Sequence, residues 1–209
     1  MADIIPSINV PTFAEVQERI TKVEPYVSWC HLDVTDGVFS KHETWRNPAD
    51  LPRLETKLNA EVHLMVEKPE TVIEQWLAEP IRRVIAHFEA LTDPELIIRK
   101  CHDAGIQVGF AVRPDTPVAL LDPWLQKVDM VLLLRVQPGA SGQQIHSEML
   151  GEIAHVRNAC PGCIIEVDGG VSVDNAKRAA DAGANLLVAG AAIFNQQDMQ
   201  KAIEELRNV

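Results

Sequence analysis

The sequence predicts an α/β fold, a single-domain (β/α)8 TIM barrel that occupies residues 1–209. Short β-rich apolar runs alternate with helical patterns along the whole chain, and strand starts recur at roughly 22 to 34 residues, the length of one strand plus one helix. No proline-rich or serine-rich linker divides the chain. Eight such units in one domain favour a closed barrel.

The predicted strands are short runs of apolar and β-branched residues. An open doubly wound sheet is the alternative fold, but it usually carries a glycine fingerprint after its first strand. Here the first strand is followed by INVPTF, which lacks that fingerprint. The eight strands are expected at 3–8, 28–34, 60–66, 82–88, 106–112, 128–136, 163–169 and 184–190.

The helix positions are marked by apolar spacing and by capping residues. In two segments, 13–23 and 145–156, apolar residues recur at spacings of three and four, which places them on one face of a helix. Asp93 followed by Pro94 predicts a helix start, and Ser172 can cap the helix that begins VDNAKRAA.

The charge of the chain limits the kinds of partner it can have. Nineteen basic residues against thirty acidic ones give a net charge of −11, with no local basic patch. This balance repels nucleic acid and anionic membranes, so we expect a small-molecule partner. No secretory signal pattern and no apolar run of spanning length is present, so a cytoplasmic location is expected.

The four cysteines are too few and too scattered for a disulfide framework. Cys160 and Cys163 form a C-x-x-C motif, which can be a redox pair or half of a zinc site. However, the motif has no second copy, and it lies between a helix and a strand rather than at a helix N-terminus. We therefore expect a turn with two ordinary thiols.

Polar residues at the carboxyl ends of the predicted strands are the candidates for chemistry, because that end of a barrel carries the active site. His31 and Asp33 are two apart on one strand and therefore point to the same side. His63 lies in the third strand, and Asp168 ends the seventh. If all four point inward, they form a site with two imidazoles and two carboxylates.

Each of these residues also has a structural interpretation. A lone strand histidine such as His63 is more often a hydrogen-bonded core residue, and Asp168 alone could cap a turn. Burying two carboxylates without compensation costs several kcal/mol each, however, and a divalent metal ion would offset that cost. Histidine and aspartate ligands suit Zn, Fe, Mn and Co alike.

Three small-residue turns follow the sixth, seventh and eighth strands. The backbone N–H groups of such turns can approach an oxyanion, and the last two loops are the usual phosphate site of this fold. Glycines are also needed for tight turns, so one turn alone is weak evidence. Together they predict a phosphorylated ligand, and they lie at VQPGASGQQ (136–144), DGGVS (168–172) and VAGAAIF (188–194).

The segments IIPSI, CHLDVTDGVF, EVHLMVEKPE and IIEVDGGV, in this order along nearly the whole chain, resemble the ribulose-phosphate 3-epimerase family. The resemblance implies that His31, Asp33, His63 and Asp168 are metal ligands, and that Asp33 and Asp168 are the catalytic acid and base. The substrate contacts implied by it are Ser7, His63, Met65 and the backbone groups of Gly139, Gly142, Gly169, Gly170, Gly190 and Ala191.

The reaction implied by the resemblance is epimerisation of D-ribulose 5-phosphate to D-xylulose 5-phosphate at carbon 3. One aspartate removes the proton beside the ketone and the other returns a proton to the opposite face. A divalent metal on the ketone and hydroxyl oxygens would stabilise the enediolate between these steps. A homo-oligomer is expected by analogy with the family.

The chain departs from the family pattern around the substrate. Thr35 and Leu134 stand where the family has methionine, FSKH (39–42) replaces its usual F-V-P-N, and QPGASGQ (137–143) lacks the aromatic residue of the family loop. The alternative is therefore a 3-epimerase of another ketose phosphate, such as allulose 6-phosphate. A phosphate-binding barrel without turnover is a further alternative, against which the four retained ligands argue.

Three further residues near the predicted site have two interpretations each. Arg135 can bind an additional anionic group at the mouth or pair with a helix carboxylate, and ordinary ion pairs are the commoner case. His87 and Glu89 form another pair two residues apart at a strand end. We expect them to support the metal site rather than to form a second one.

Overall fold

Eight parallel strands close into a barrel in the computed structural model, which describes residues 2–135 and 148–208. Each strand pairs with the next along the chain, and the last strand pairs with the first. The TIM-barrel prediction is thereby confirmed, and each predicted strand overlaps an observed one. The strands are β1 Asp3–Ile8, β2 Trp29–Thr35, β3 Asn59–Met65, β4 Ile81–His87, β5 Gln107–Val112, β6 Met130–Leu134, β7 Ile164–Asp168 and β8 Leu186–Ala189.

The connections between strands are less regular than eight equal units would be. β2 is joined to β3, and β5 to β6, through single short 3-10 helices, Pro48–Arg53 and Val118–Leu121 respectively. None of the helices in the described part of the chain is long and apolar enough to cross a membrane. The α-helices are α1 Phe13–Val23, α2 Pro69–Val72, α3 Pro94–Asp103, α4 Glu148–Ala159, α5 Val173–Ala182, α6 Ala191–Phe194 and α7 Met199–Arg207.

The predicted helix starts are confirmed by a capping hydrogen bond at the beginning of each helix. Asp93 Oδ1 accepts from Leu96 N–H at 3.1 Å at the start of α3. Ser172 is the N-cap of α5, where its N–H donates to Asn175 Oδ1 at 2.9 Å. A side chain that satisfies these N–H groups stabilises a helix by about 1 kcal/mol.

The strands turn alternate side chains inward and outward, and the outward ones pack beneath the helices in one large apolar cluster. The inward side chains divide the barrel interior into two parts. On β4, β5 and β6 they are mostly apolar, namely Ile85, Ala111, Met130, Leu132 and Leu134. On β2, β3, β4 and β7 they include the buried polar side chains His31, Asp33, Glu61, His63, Arg83, His87 and Glu166.

Arg135 lies directly after β6 and belongs to the outer side of the barrel. Its Nη1 is 2.7 Å from Glu152 Oε2 on α4, so it pairs with a helix carboxylate, as the commoner interpretation predicted. The alternation along β6 explains this direction, because Leu134 points into the barrel and the next residue points out.

The prediction of two ordinary thiols at Cys160 and Cys163 was wrong, because the two residues form a disulfide. The chain turns tightly after α4, where Cys163 N–H donates to Cys160 O at 3.2 Å. This turn brings the two Cα atoms to 5.4 Å, within the usual range for a disulfide. The sequence showed the turn but not the facing of the two side chains.

Candidate metal centre and active site

The four predicted ligand side chains converge inside the barrel. Each offers one atom that lies within 4.8 Å of the other three. His31 Nε2 is 3.2 Å from His63 Nδ1, 3.5 Å from Asp33 Oδ1 and 3.9 Å from Asp168 Oδ2. His63 Nδ1 is 3.6 Å from each of the same two carboxylate oxygens. The prediction that these side chains point inward to one place is therefore correct.

These distances fit a four-coordinate metal ion. A tetrahedral site with bonds of about 2.0–2.1 Å places its ligand atoms roughly 3.4 Å apart, and the observed distances of 3.2–3.9 Å lie around that value. Two imidazole nitrogens and two carboxylate oxygens are also a common donor set for divalent transition metals. The cluster can hold such an ion, and its donor set does not select one metal.

Strand register explains why residues so far apart in sequence meet. Asp33 of β2 pairs in register with His63 of β3, and His31 lies one inward position below Asp33 on the same strand. Ser7 of β1 pairs with His31. Asp168 reaches the cluster from β7, which is separated from β2 by β8 and β1. The two aspartates therefore approach the cluster from different sides.

Asp33 is held as a carboxylate. Burial by itself raises the pKa of this carboxyl, but the hydrogen bonds and charges of His31 and His63 outweigh burial and keep the pKa well below its usual range. Ser7 Oγ donates a further hydrogen bond of 2.6 Å to Asp33 Oδ2. One carboxylate oxygen thus faces the cluster while the other is held by the Ser7 hydroxyl.

The ring nitrogen of His63 that faces away from the cluster contacts a second histidine, His87. Its Nε2 lies 3.0 Å from His87 Nε2, and His87 Nδ1 lies 3.2 Å from Glu89 Oε2. Burial lowers the pKa of His87 to about 4, so its ring is neutral near pH 7. If His87 donates Nδ1–H to Glu89, its Nε2 accepts from His63 Nε2–H, and His63 Nδ1 is left free to bind a metal. His87 and Glu89 therefore form a chain of contacts with His63 on the side away from the cluster, and their support of a metal site stays a prediction.

Three buried charged residues next to His31 were missed at the sequence level. His31 Nδ1 is 2.7 Å from Glu61 Oε1 and 3.4 Å from Glu166 Oε1, and Arg83 Nη1 is 2.5 Å from Glu61 Oε2. A signal was present, because Glu61 and Glu166 each precede a predicted ligand, His63 or Asp168, by two residues on the same strand. Strand periodicity places such residues on the same face as the ligand.

The residues predicted to contact substrate lie around the cluster. Met65 follows His63 on β3 by two positions, pairs in register with Thr35, and is buried like it. Thr35 N–H donates to Thr44 Oγ1 at 3.0 Å. A hydroxyl-bearing residue and a thioether are therefore neighbours at the carboxyl ends of β2 and β3.

The turns that sequence analysis predicts to bind phosphate are described in part. Gly169 and Gly170 follow β7 with positive φ values of 97° and 69°, a conformation that glycine adopts without strain. Gly190 lies between β8 and Ala191, the first residue of α6, and a Cβ added there would lie 3.6 Å from Ser7 Oγ. Two more predicted phosphate contacts, Gly139 and Gly142, lie outside the described residues, as does the rest of the loop 137–143.

The loop after β2 packs on His87 and is held there by Arg113, a residue that sequence analysis did not single out. The Phe39 ring lies 4.7 Å from the His87 ring, centroid to centroid. The guanidinium of Arg113, which follows β5, lies 3.8 Å from the centroid of the Phe39 ring and donates from Nη2 to Phe39 O at 3.0 Å. Phe39 thus packs between the His87 ring and the Arg113 guanidinium.

Comparison with known proteins agrees with this geometry. The model of the ribulose-phosphate 3 epimerase family matches residues 3–194. The ribulose-phosphate 3-epimerase of Schizosaccharomyces pombe is 37% identical over 99% of this chain and 93% of its own length. That of Bacillus subtilis is 35% identical over 99% of both chains.

Among solved structures, a 3-hexulose-6-phosphate synthase superposes with a TM-score of 0.74 at 17% identity, covering 99% of this chain and 98% of that one. KGPDC from Streptococcus mutans gives a TM-score of 0.76 at 11% identity, covering 100% and 96%. At such low identity these likenesses show the fold alone. The family model and the relatives that match over nearly the full length show the family as well as the fold. The chain belongs to the ribulose-phosphate 3-epimerase family.

Proposed function

We propose that this chain is a metal-dependent epimerase that interconverts D-ribulose 5-phosphate and D-xylulose 5-phosphate at carbon 3. The observation that carries the proposal is the meeting of Asp33 and Asp168, from β2 and β7, at one cluster that can hold a metal. Membership of the epimerase family supports the same reaction.

The two aspartates act as the acid and the base. Inversion at carbon 3 needs one group to take the proton from one face and another to give a proton to the opposite face. The side chains of Asp33 and Asp168 are 5% and 13% exposed, whereas both cluster histidines are fully buried. The carboxylates are therefore the more accessible members of the cluster, and they exchange roles when the reaction is reversed.

His31, Asp33, His63 and Asp168 would hold the metal. When bound, a divalent ion supplies Lewis-acid polarisation of the substrate oxygens, which makes the carbon 3 proton more acidic. With the ion bound, the two histidines would be neutral nitrogen ligands. Each is held through its second ring nitrogen, His31 by Glu61 and His63 by His87. This arrangement keeps the ring orientations fixed while a substrate enters and leaves.

The phosphate of the sugar is assigned to backbone N–H groups of the glycine turns after β7 and β8. Gly169, Gly170, Gly190 and Ala191 belong to these turns. The predicted contacts Gly139 and Gly142 follow β6 in sequence and lie outside the described residues. A small phosphorylated sugar is therefore the proposed ligand. A single domain over 1–209, a homo-oligomer and a cytoplasmic location remain predictions.

Exchange of the carbon 3 proton with solvent tests the reaction directly. Purified protein is incubated with ribulose 5-phosphate in deuterated water, and deuterium at carbon 3 is followed by NMR. We expect exchange in the wild type and its loss in Asp33→Asn and Asp168→Asn. Asp36→Asn is the matched control, because the Asp36 carboxylate accepts backbone N–H groups of Val38, Phe39 and Glu67 outside the cluster. Absence of exchange with any ketose phosphate, despite bound metal, would contradict an enzymatic function.

The same assay distinguishes the pentulose from the hexulose substrate. The specific reason for this comparison is that Thr35, and not methionine, lies buried beside Met65. Allulose 6-phosphate is therefore assayed in parallel with ribulose 5-phosphate. A higher kcat/KM for the pentulose phosphate supports the proposal, and a higher value for the hexulose phosphate favours the alternative.

A further inference from the structure

Three charged side chains inside the barrel have no part in the proton transfer described above. Glu61 and Glu166 are completely buried, and Arg83 is 3% exposed. Taking charges out of water costs several kcal/mol each unless they are paired with good geometry. Their position next to His31 suggests a role in holding this ligand.

Glu61 connects His31 to Arg83 through short hydrogen bonds. Glu61 Oε1 lies 2.7 Å from His31 Nδ1, and Glu61 Oε2 accepts from Arg83 Nη1 at 2.5 Å. Arg83 is itself fixed, because its Nε donates to Gln107 Oε1 at 3.0 Å and its guanidinium lies 4.6 Å from the centroid of a Trp29 ring. The carboxylate that faces His31 therefore has little freedom to turn away.

The hydrogen bond to Glu61 decides which nitrogen of His31 can bind a metal. A neutral imidazole carries its proton on only one of its two nitrogens. The Glu61 carboxylate, 2.7 Å from His31 Nδ1, can accept a hydrogen bond from this ring only if the proton is on Nδ1. The lone pair then lies on Nε2, which is the nitrogen that faces His63, Asp33 and Asp168. A negative partner also makes the imidazole a stronger donor to a metal.

We propose that Glu61, locked in place by Arg83, is a positioning residue that prepares His31 Nε2 for metal binding. This inference rests on the metal site of the proposed function. It concerns affinity for the ion rather than turnover, so it can be measured without substrate. Glu61 touches neither the substrate nor the reacting atoms and acts only through His31.

Glu166 provides a matched control within the same chain. It is the same residue type, is equally buried, and its Oε1 lies 3.4 Å from the same His31 nitrogen. This contact of 3.4 Å is longer than the 2.7 Å contact of Glu61 Oε1 with the same nitrogen, so Glu166 is the weaker partner of His31. If hydrogen bonding to His31 is what matters, the two glutamates differ in their effect on metal affinity.

The test is titration of the metal-free full-length protein with Co²⁺, followed by the visible absorption of the bound ion and by competition with a chelator. We expect Glu61→Gln to raise the Kd for Co²⁺ about 10- to 100-fold, the usual cost of losing such a ligand partner. Glu166→Gln should leave the Kd within about threefold of wild type, because the contact of Glu166 with His31 Nδ1 is long, 3.4 Å against 2.7 Å for Glu61. Circular dichroism and thermal unfolding report whether each variant is folded.

Glu61→Gln leaves Arg83 buried without its anionic partner, and the variant can be unstable for that reason alone. The double variant Glu61→Gln/Arg83→Met removes both charges together and keeps an amide oxygen beside His31 Nδ1. We expect it to fold and still to bind Co²⁺ at least about tenfold more weakly than wild type.

If the folded Glu61 variants bind Co²⁺ as tightly as wild type, Glu61 has no positioning role. An equal loss of Co²⁺ affinity in Glu61→Gln and Glu166→Gln would also overturn this role. A wild-type chain that binds no Co²⁺ would overturn the metal site and this role together. Tight Co²⁺ binding without epimerase activity would contradict the proposed reaction only. The role of Glu61 would stand, because it is measured by the affinity for Co²⁺ and not by turnover.

Discussion

Ser7 Oγ donates a hydrogen bond of 2.6 Å to Asp33 Oδ2, while Oδ1 of the same carboxylate lies 3.5 Å from His31 Nε2. Asp33 therefore divides its two oxygens between a hydroxyl on the neighbouring wall of the barrel and the cluster that can hold a metal. The hydroxyl fixes the orientation of a group that the proposed mechanism uses for proton transfer.

Ser7→Ala should slow turnover without removing the metal. A hydrogen bond to a charged group contributes about 1.5–3 kcal/mol, so its loss from Asp33 should lower kcat roughly 10- to 100-fold. Affinity for Co²⁺ should change little, because Asp33 Oδ1 remains in the cluster. Steady-state kinetics and Co²⁺ titration measure the two effects. Ser40→Ala is the control, because Ser40 is also buried but forms its hydrogen bonds within its own loop. An unchanged kcat in Ser7→Ala would contradict the prediction.

His87→Phe should weaken metal binding through His63. The substitution keeps a buried ring but removes the nitrogen that lies 3.0 Å from His63 Nε2. The Kd for Co²⁺ should rise about tenfold, because His63 loses the partner that orients its ring. His155→Phe serves as control, since His155 pairs with Asp122 on the surface. A Kd equal to that of wild type in a folded His87→Phe protein would mean that the contact has no influence on the ligand.

Arg135→Met should destabilise the protein and leave substrate affinity unchanged. Arg135 is buried and pairs with Glu152, whose side chain is 21% exposed. Breaking a fully buried pair costs about 3–5 kcal/mol, and we expect about 2 kcal/mol here because Glu152 reaches water. Urea unfolding measures the loss. A raised KM with unchanged stability would instead indicate that Arg135 binds a substrate anion.

The cysteines should separate into two classes in a thiol titration. Cys30 and Cys101 are free and fully buried, and burial raises the pKa of each thiol to about 12, so almost no thiolate forms at pH 8. A disulfide-exchange reagent should therefore react slowly with the native protein. After unfolding without reductant, two thiols should react. If the protein is reduced before unfolding, all four thiols should react. Reaction of four thiols without reductant would mean that Cys160 and Cys163 do not form a disulfide.

The local patterns of the sequence predicted the barrel and the four clustered residues. The two-residue spacing of His31 and Asp33 places both on one face of β2, whatever the rest of the chain does, because alternation is a property of the extended backbone. The same holds for the capped starts of α3 and α5, where each capping hydrogen bond joins residues three apart in sequence.

The contacts between distant strands were decided by the tertiary structure alone. Glu61 meets His31 across thirty residues, and Arg83 reaches Glu61 across twenty-two, only because β2, β3 and β4 are paired in a fixed register. The same register leaves His31 Nε2 facing the cluster.

The sequence by itself determined which faces the polar residues occupy, since side-chain alternation and helix capping depend on neighbours a few positions away. The tertiary structure decided which atoms face each other, including the joined sulfurs of Cys160 and Cys163 and the partner of Arg135. The physical reason is that hydrogen bonds, ion pairs and metal ligation require atoms to meet within a few ångströms. Barrel closure and strand register set those distances.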